Sequence, residues 1–187
     1  REFRTRSRVR CGPVTRSHDT PDGSTIRPIV DADLEPILDL NQANVPEVGP
    51  LDADRLRYLV DESAIGLAVD ADDALVGFCL VLAPGSSYDS VNYTWFMEHH
   101  PTSLYLDRVA FDVTARGNGF GSALYAEVDR LMGRDHPDAG ALTLEVNVDP
   151  PNEPSLRFHT KLGFEPVGRQ VSKGIVVSLM RRDTGAV

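Results

Sequence analysis

Cysteine is nearly absent: two occur in 187 residues, Cys11 in a polar N-terminal stretch and Cys79 inside the apolar run Val76 to Leu82. That count excludes a disulfide scaffold, and Cys79 reads as a small buried hydrophobe. Long apolar runs are also missing. None approaches the roughly 20 residues that a bilayer-spanning helix needs, and no charged-then-apolar leader with a small-residue cleavage site opens the sequence. Positive charge is the third lack. Nineteen Lys and Arg stand against 28 Asp and Glu, a formal net charge of -9 with a pI near 4.9. A nucleic-acid binder needs a basic face to release phosphate counterions, so DNA and RNA are poor partners. The expectation is a soluble, cytoplasmic protein with neither a membrane nor a nucleic acid as partner.

The sequence is 41% hydrophobic and 25% charged over 187 residues, which suits one domain with its own core. Residues 1–24 form a separate compositional unit. Arg1, Arg4, Arg6, Arg8, Arg10 and Arg16 are faced only by Glu2, Asp19 and Asp22, so this Arg- and Ser-rich tail carries +3 and the remainder -12. It has too little apolar content to offset the entropy of ordering and is expected to be disordered or loosely attached. An anion-binding arm, a transit peptide, an expression remnant and an overlong reading frame all fit it. The domain is expected over 25–187.

From Thr25 the periodicities alternate between strand and helix. Thr25 to Val30 is a short β-type run, after which Asp31 or Asp33 can cap a helix with Leu34, Ile37, Leu38 and Leu40 at helical spacing. A second helix starts from Asp52 with Leu56, Leu59 and Val60 on one face. Ile65 to Val69, the turn Asp70 to Asp73 and Leu75 to Leu82 make a hairpin, with a bulge suggested at Gly77. An aromatic-rich connection carrying Tyr88, Tyr93, Trp95 and Phe96 runs to Pro101; its length suggests a functional loop, lining a substrate pocket or serving core and dimer contacts.

Leu104 to Phe111 reads as a strand, and Arg116-Gly-Asn-Gly-Phe-Gly121 leads into Leu124, Val128, Leu131 and Met132 at helical spacing. A glycine-rich turn that opens a helix presents unpaired N–H groups at the positive end of the helix dipole, so a phosphate is its natural occupant. The dinucleotide fingerprint G-x-G-x-x-G fails because Ser122 stands at its third glycine, and a phosphate-loop reading fails for want of lysine.

The segment Arg116 to Gly121 does match the R/Q-x-x-G-x-G/A signature of GCN5-related (GNAT) N-acetyltransferases. Leu142-Thr-Leu-Glu-Val146 resembles that family's fifth strand, and Asn152-x-x-Ser155-x-x-Phe158-His159-x-x-Leu162-Gly163-Phe164 its N-x-x-A-x-x-(F/L)-Y-x-x-x-G-F block. Within the superfamily the sequence resembles predicted acetyltransferases carrying an EVN-x-x-PPN segment, here Glu145 to Asn152. The resemblance implies an α/β (α+β) fold: a mixed, mostly antiparallel sheet of about seven strands, splayed between the fourth and fifth, with about four flanking helices.

It further implies acetyl-CoA as acetyl donor and direct transfer to a primary amine. Pantetheine would lie in the splay against Val109, Ala110 and Phe111, one of whose amides polarises the thioester carbonyl. The loop Arg116, Gly117, Asn118, Gly119, Phe120, Gly121 and Ser122 would hold the pyrophosphate. Arg116 either adds a charge-assisted contact to phosphate or pairs with an acidic neighbour, and Asn152 either contacts pantetheine or caps a helix. Glu145 is the leading general base, against a plain strand-end charge. Asp107 is its rival, since alternation puts Tyr105, Asp107 and Val109 on one face.

The departure from the family pattern is His159, which stands where most members have the tyrosine that acts as acid. A neutral or charged imidazole can serve, Tyr105, Tyr93 or Tyr125 can replace it, and a structural histidine is equally compatible. A second reading follows from that departure: an acyl-CoA-binding sensor or interaction module without turnover. The adjacent His99 and His100 diverge on any regular element and no metal site is expected. No serine sits in a nucleophile-elbow context. The acceptor is not legible in the sequence.

Overall fold

The computed structural model describes Pro21 and residues 23–185; the Arg-rich tail and Cys11 lie almost wholly outside these described residues. Seven strands and five α-helices occur among them. In chain order they are β1 (Ser24–Pro28), α1 (Leu34–Ala43), α2 (Ala53–Glu62), β2 (Ser63–Ala71), β3 (Ala74–Leu82), α3 (Val91–His99), β4 (Ser103–Phe111), α4 (Phe120–Asp135), β5 (Ala141–Asp149), α5 (Glu153–Lys161), β6 (Glu165–Ser172) and β7 (Ile175–Asp183).

The sheet order is β1-β2-β3-β4-β5-β7-β6. Every pairing is antiparallel except β4 with β5. That parallel pair is short: it joins Ser103, Leu104 and Tyr105 to Ala141, Leu142 and Thr143 and then ends. The sheet therefore splays between its fourth and fifth strands, as the resemblance implied.

Both faces are covered. Leu67, Val69, Cys79, Val81, Leu104, Leu106, Leu142, Leu144 and Val146 meet Leu124, Tyr125, Val128 and Met132 of α4 on one face. Cys79 is fully buried there, and loss of hydration pushes its thiol up to about 12. On the other face Phe78, Leu80 and Ala110 meet Ile37, Leu56 and Leu59 of α1 and α2. Further along that face Tyr93 and Phe96 of α3 pack on Leu82, Tyr105, Val177 and Leu179.

Three expectations are corrected. The aromatic connection is not a loop, because Ser90 caps its middle: Oγ accepts from the N–H groups of Asn92 and Tyr93 (3.2 and 3.5 Å). Tyr93 and Phe96 then bury one face of the resulting α3. Aromatic and β-branched residues lower intrinsic helix propensity, so tertiary burial outweighs the local signal here. Asp33 stands at the N-cap of α1 but its side chain makes no bond to the first turn, since its carboxylate accepts from Arg27 (2.7 and 2.9 Å) and from Val30 N (2.8 Å). The third correction concerns β4. Leu80 pairs with Arg108 and Val81 with Leu106, which leaves Asp107 as the extra residue of a β-bulge. The bulge reverses the alternation, so Val109 and Phe111 pack on the α4 side while Tyr105 stays on the α3 side.

The bulge expected at Gly77 is present one residue away. Val69 pairs with Gly77 and Asp70 with Leu75, so Val76 is unpaired. A Cβ on Gly77 would come within 2.4 Å of the Phe111 ring, which requires glycine there.

Candidate active site

The glycine loop is built as an anion cradle. A short 3₁₀ turn, Val113–Ala115, ends at Arg116, and Gly119 forms the N-cap of α4 with no side chain to satisfy the first turn. The leading N–H groups of a helix have no intrahelical acceptor, so those of Phe120, Gly121 and Ser122 remain for a ligand. Gly117 (φ +83°) and Gly119 (φ +85°) take left-handed backbone, which L side chains adopt only with strain. Gly121 has a different reason: a Cβ there would stand 2.9 Å from the Phe158 ring of α5. Close helix packing, not backbone handedness, selects that glycine.

Arg116 is exposed, and its Nη2 donates to Asn44 Oδ1 at 2.6 Å, not to an acidic side chain. Asn44 in turn donates to the carbonyls of Leu40 (2.9 Å) and Phe111 (3.3 Å). The loop is thereby tied to the end of α1 and the end of β4.

Beyond Tyr105 and Thr143, the facing backbone edges of β4 and β5 have no strand partner across the gap. Buried peptide groups need partners, so a chain molecule carrying amides fits this split as an inserted strand would. Val109, Ala110 and Phe111 lie along one side of it. Its outer end meets the glycine loop; its inner end holds the titratable groups.

There the Tyr105 hydroxyl donates to Glu145 Oε2 (2.6 Å) and the Tyr88 hydroxyl to Asp107 Oδ1 (2.6 Å). Arg108 Nε lies 3.1 Å from Asp107 Oδ2 but out of line, so neither atom has a hydrogen-bond partner. Arg108 Nη1 donates to Asn41 Oδ1 (2.9 Å) and the Gly49 carbonyl (2.6 Å). Desolvation first, and the Asp107 charge second, raise the Glu145 carboxyl to about 7, against the lowering effect of donors Tyr105 and Asn92. Burial raises the Tyr105 phenol well above its ordinary value, so it stays protonated as the donor. A carboxyl poised near neutrality beside a second carboxylate is the arrangement expected of a proton acceptor.

His159 is placed differently from an acid at the reacting centre. It is 3% exposed, its Nδ1 donates to the Ser155 carbonyl (2.8 Å), and its Nε2 lies 2.7 Å from the Tyr125 hydroxyl, which then donates. Burial lowers it to about 4, so at neutral pH the ring is uncharged with both nitrogens engaged. Asn152 caps α5: its Oδ1 accepts from Ser155 N at 3.1 Å. Asn152→Ala is expected to cost about 1 kcal/mol of stability, read as a lower urea midpoint at unchanged slope.

The Acetyltransferase (GNAT) family profile matches residues 34–164. The chain belongs to that family. A phosphinothricin N-acetyltransferase of Streptomyces coelicolor is 30% identical over 148 residues, 76% of this chain and 82% of that protein. Ard1 from Thermoplasma volcanium shares the fold with TM-score 0.70 at 21% identity, over 87% of this chain and 98% of its own. Aminoglycoside acetyltransferase AAC(6')-Ib, solved with coenzyme A, does so with TM-score 0.67 at 20% identity, over 86% and 94%.

In this GNAT N-acetyltransferase the tertiary structure brings together Tyr105, Asp107 and Glu145, sets His159 against Tyr125 of α4, and leaves Asn152 as the cap of α5. Sequence reasoning missed Arg108, Asn92 and the particular role of Tyr88. Arg108 was hidden by regular alternation in β4, and Asn92 by the unrecognised cap at Ser90. Among the described residues no group of three or more His, Cys, Asp or Glu side chains is placed to hold a metal, and no helix is long and apolar enough to cross a membrane.

Proposed function

We propose that the chain transfers an acetyl group from acetyl-CoA directly to a primary amine, with Glu145 as general base. The observation that carries this is the placing of the Glu145 carboxylate at the inner end of the β4–β5 split, where it accepts from the Tyr105 hydroxyl at 2.6 Å. Acetyl-CoA supplies the activated acyl group. The first-turn amides of α4 hold its pyrophosphate, and the unpaired edge of Val109 to Phe111 aligns its pantetheine. At the inner end Glu145 takes the proton that an ammonium must lose before attack. Tyr105 orients the carboxylate, Asp107 raises its basicity, and Tyr88 fixes Asp107. His159 acts structurally, through Tyr125 and Ser155, and supplies no acid; attack of the amine forms the C–N bond, the C–S bond breaks, and the departing thiolate takes the second proton that the nitrogen sheds as the amide forms, so that CoA leaves as the thiol.

The test is titration calorimetry of acetyl-CoA together with a thiol-release assay over an amine panel. The relative's activity makes phosphinothricin the first acceptor to try. Micromolar binding with release on any amine supports the proposal; tight binding without release on any of them returns the sensor reading. Absence of binding by folded protein removes the acetyl-CoA assignment altogether.

A further inference from the structure

We propose that Arg116 and Asn44 act together as positioning residues for acetyl-CoA: the arginine holds the glycine loop in place by donating to Asn44, and its charge is not what binds the phosphates. The inference rests on the reading that places the pyrophosphate at the head of α4.

Asn44 is the C-cap of α1 and is 7% exposed. Its side chain is used at both ends. The NH₂ group donates to the Leu40 carbonyl at 2.9 Å and to the Phe111 carbonyl at 3.3 Å. That leaves the oxygen, which can only accept, for Arg116 Nη2 at 2.6 Å. The two carbonyls fix which way the amide faces, since an oxygen turned toward them would meet two acceptors. One buried side chain therefore joins three segments: the end of α1, the end of β4 beside which pantetheine is placed, and the start of the glycine loop.

Asp112, four residues before Arg116, does not draw the guanidinium away. It caps the intervening 3₁₀ turn, where its Oδ1 accepts from Thr114 N at 2.8 Å and from Thr114 Oγ1 at 2.5 Å. The loop that follows has little of its own to hold it: Gly117 and Gly119 carry no side chains, and Asn118 reaches only the Thr114 carbonyl, at 3.4 Å. The bond through Asn44 sets where this loop stands relative to β4. A loop already ordered when the cofactor arrives loses less freedom on binding, so affinity rises without any contact between Asn44 and the ligand.

Isothermal titration of acetyl-CoA tests this without an acceptor. Asn44→Leu and Arg116→Leu are each expected to weaken binding by about 10-fold, and the double variant by no more than either alone, because both changes remove the same bond. A residue that served only stability would leave the affinity of the folded protein unchanged. The Arg116→Leu loss is expected to be equal at about 0.05 M and about 0.5 M salt, whereas a contact between its charge and a phosphate would be screened as salt rises. Arg116 is exposed, so its replacement leaves the core intact. If Asn44→Leu prevents folding, Asn44→Ser takes its place: the hydroxyl can still donate to the Leu40 carbonyl four residues back, while the oxygen that faces Arg116 is gone.

Losses that add in the double variant, an Arg116→Leu loss that fades at high salt, or wild-type affinity in the Asn44 variant overturns the inference; the pyrophosphate reading stands as long as Gly119→Glu still weakens binding. Unchanged affinity in Gly119→Glu as well removes that reading and the inference together.

Discussion

Glu145→Gln is expected to lower turnover by about 10²- to 10⁴-fold, the usual contribution of a positioned general base, while acetyl-CoA affinity changes little. The second half of the expectation distinguishes a base from a structural residue. The folded protein holds the Glu145 carboxyl at about 7 where its unperturbed value is 4.5. Between those values the native state binds more protons than the unfolded state, so this group's contribution to stability is complete below pH 4.5 and is lost as pH rises through 7. Glutamine carries no charge to desolvate and can still accept from Tyr105. The variant is therefore expected to be more stable than wild type at pH 8, by up to about 3 kcal/mol, and to match it near pH 4. Urea melts at the two pH values read this directly. A variant that loses activity and is also less stable at pH 8 would show that Glu145 serves folding, not proton transfer.

Gly119→Glu is expected to weaken acetyl-CoA binding by about 100-fold or more, since it sets a carboxylate at the head of α4 where the proposed site would hold the pyrophosphate, and replaces attraction by like-charge repulsion there. The backbone at Gly119 is left-handed, so any side chain adds strain of about 1–2 kcal/mol. Gly119→Asn separates the two effects, because asparagine tolerates that conformation better and is neutral. Calorimetry on both variants decides the matter: equal losses of affinity would place the fault in the backbone, and retained binding in the glutamate variant would move the phosphate site away from this loop.

Much of the architecture was legible because it is written in local patterns. Strand alternation, the helical spacing of Leu124, Val128 and Met132, and two glycines before that helix need only neighbouring residues to be read. The family assignment followed from the order of the glycine loop, the L-E-V strand and the Asn152 block. Leu142, Leu144 and Val146 face the core by simple period-2 logic, which leaves Glu145 on the other side.

The site itself was only half legible. Regular alternation put Val109 beside Tyr105 and Asp107, and the bulge at Asp107 reversed it. A bulge depends on the register between two strands, and one strand's sequence does not state its register. His159 and Asn152 are similar cases. Their residue types permit catalysis, ligand contact or structure; Asn152 is decided locally, by the cap it makes with Ser155 N, whereas the partners Tyr125 and Phe164 that fix His159 meet it only when α5 packs on α4 and the sheet.

By itself the sequence determined the family, the order of the elements apart from α3, the glycine loop and the identity of Glu145 as the residue to test, since each depends on residue type and short spacing. Only the tertiary structure decided that Glu145 shares its surroundings with Asp107, Tyr105 and Asn92 and titrates near neutrality, while His159 does not. A pKa is set by lost hydration and by charges a few ångströms away, and those neighbours come from β4, β5 and α3, segments that folding alone brings together.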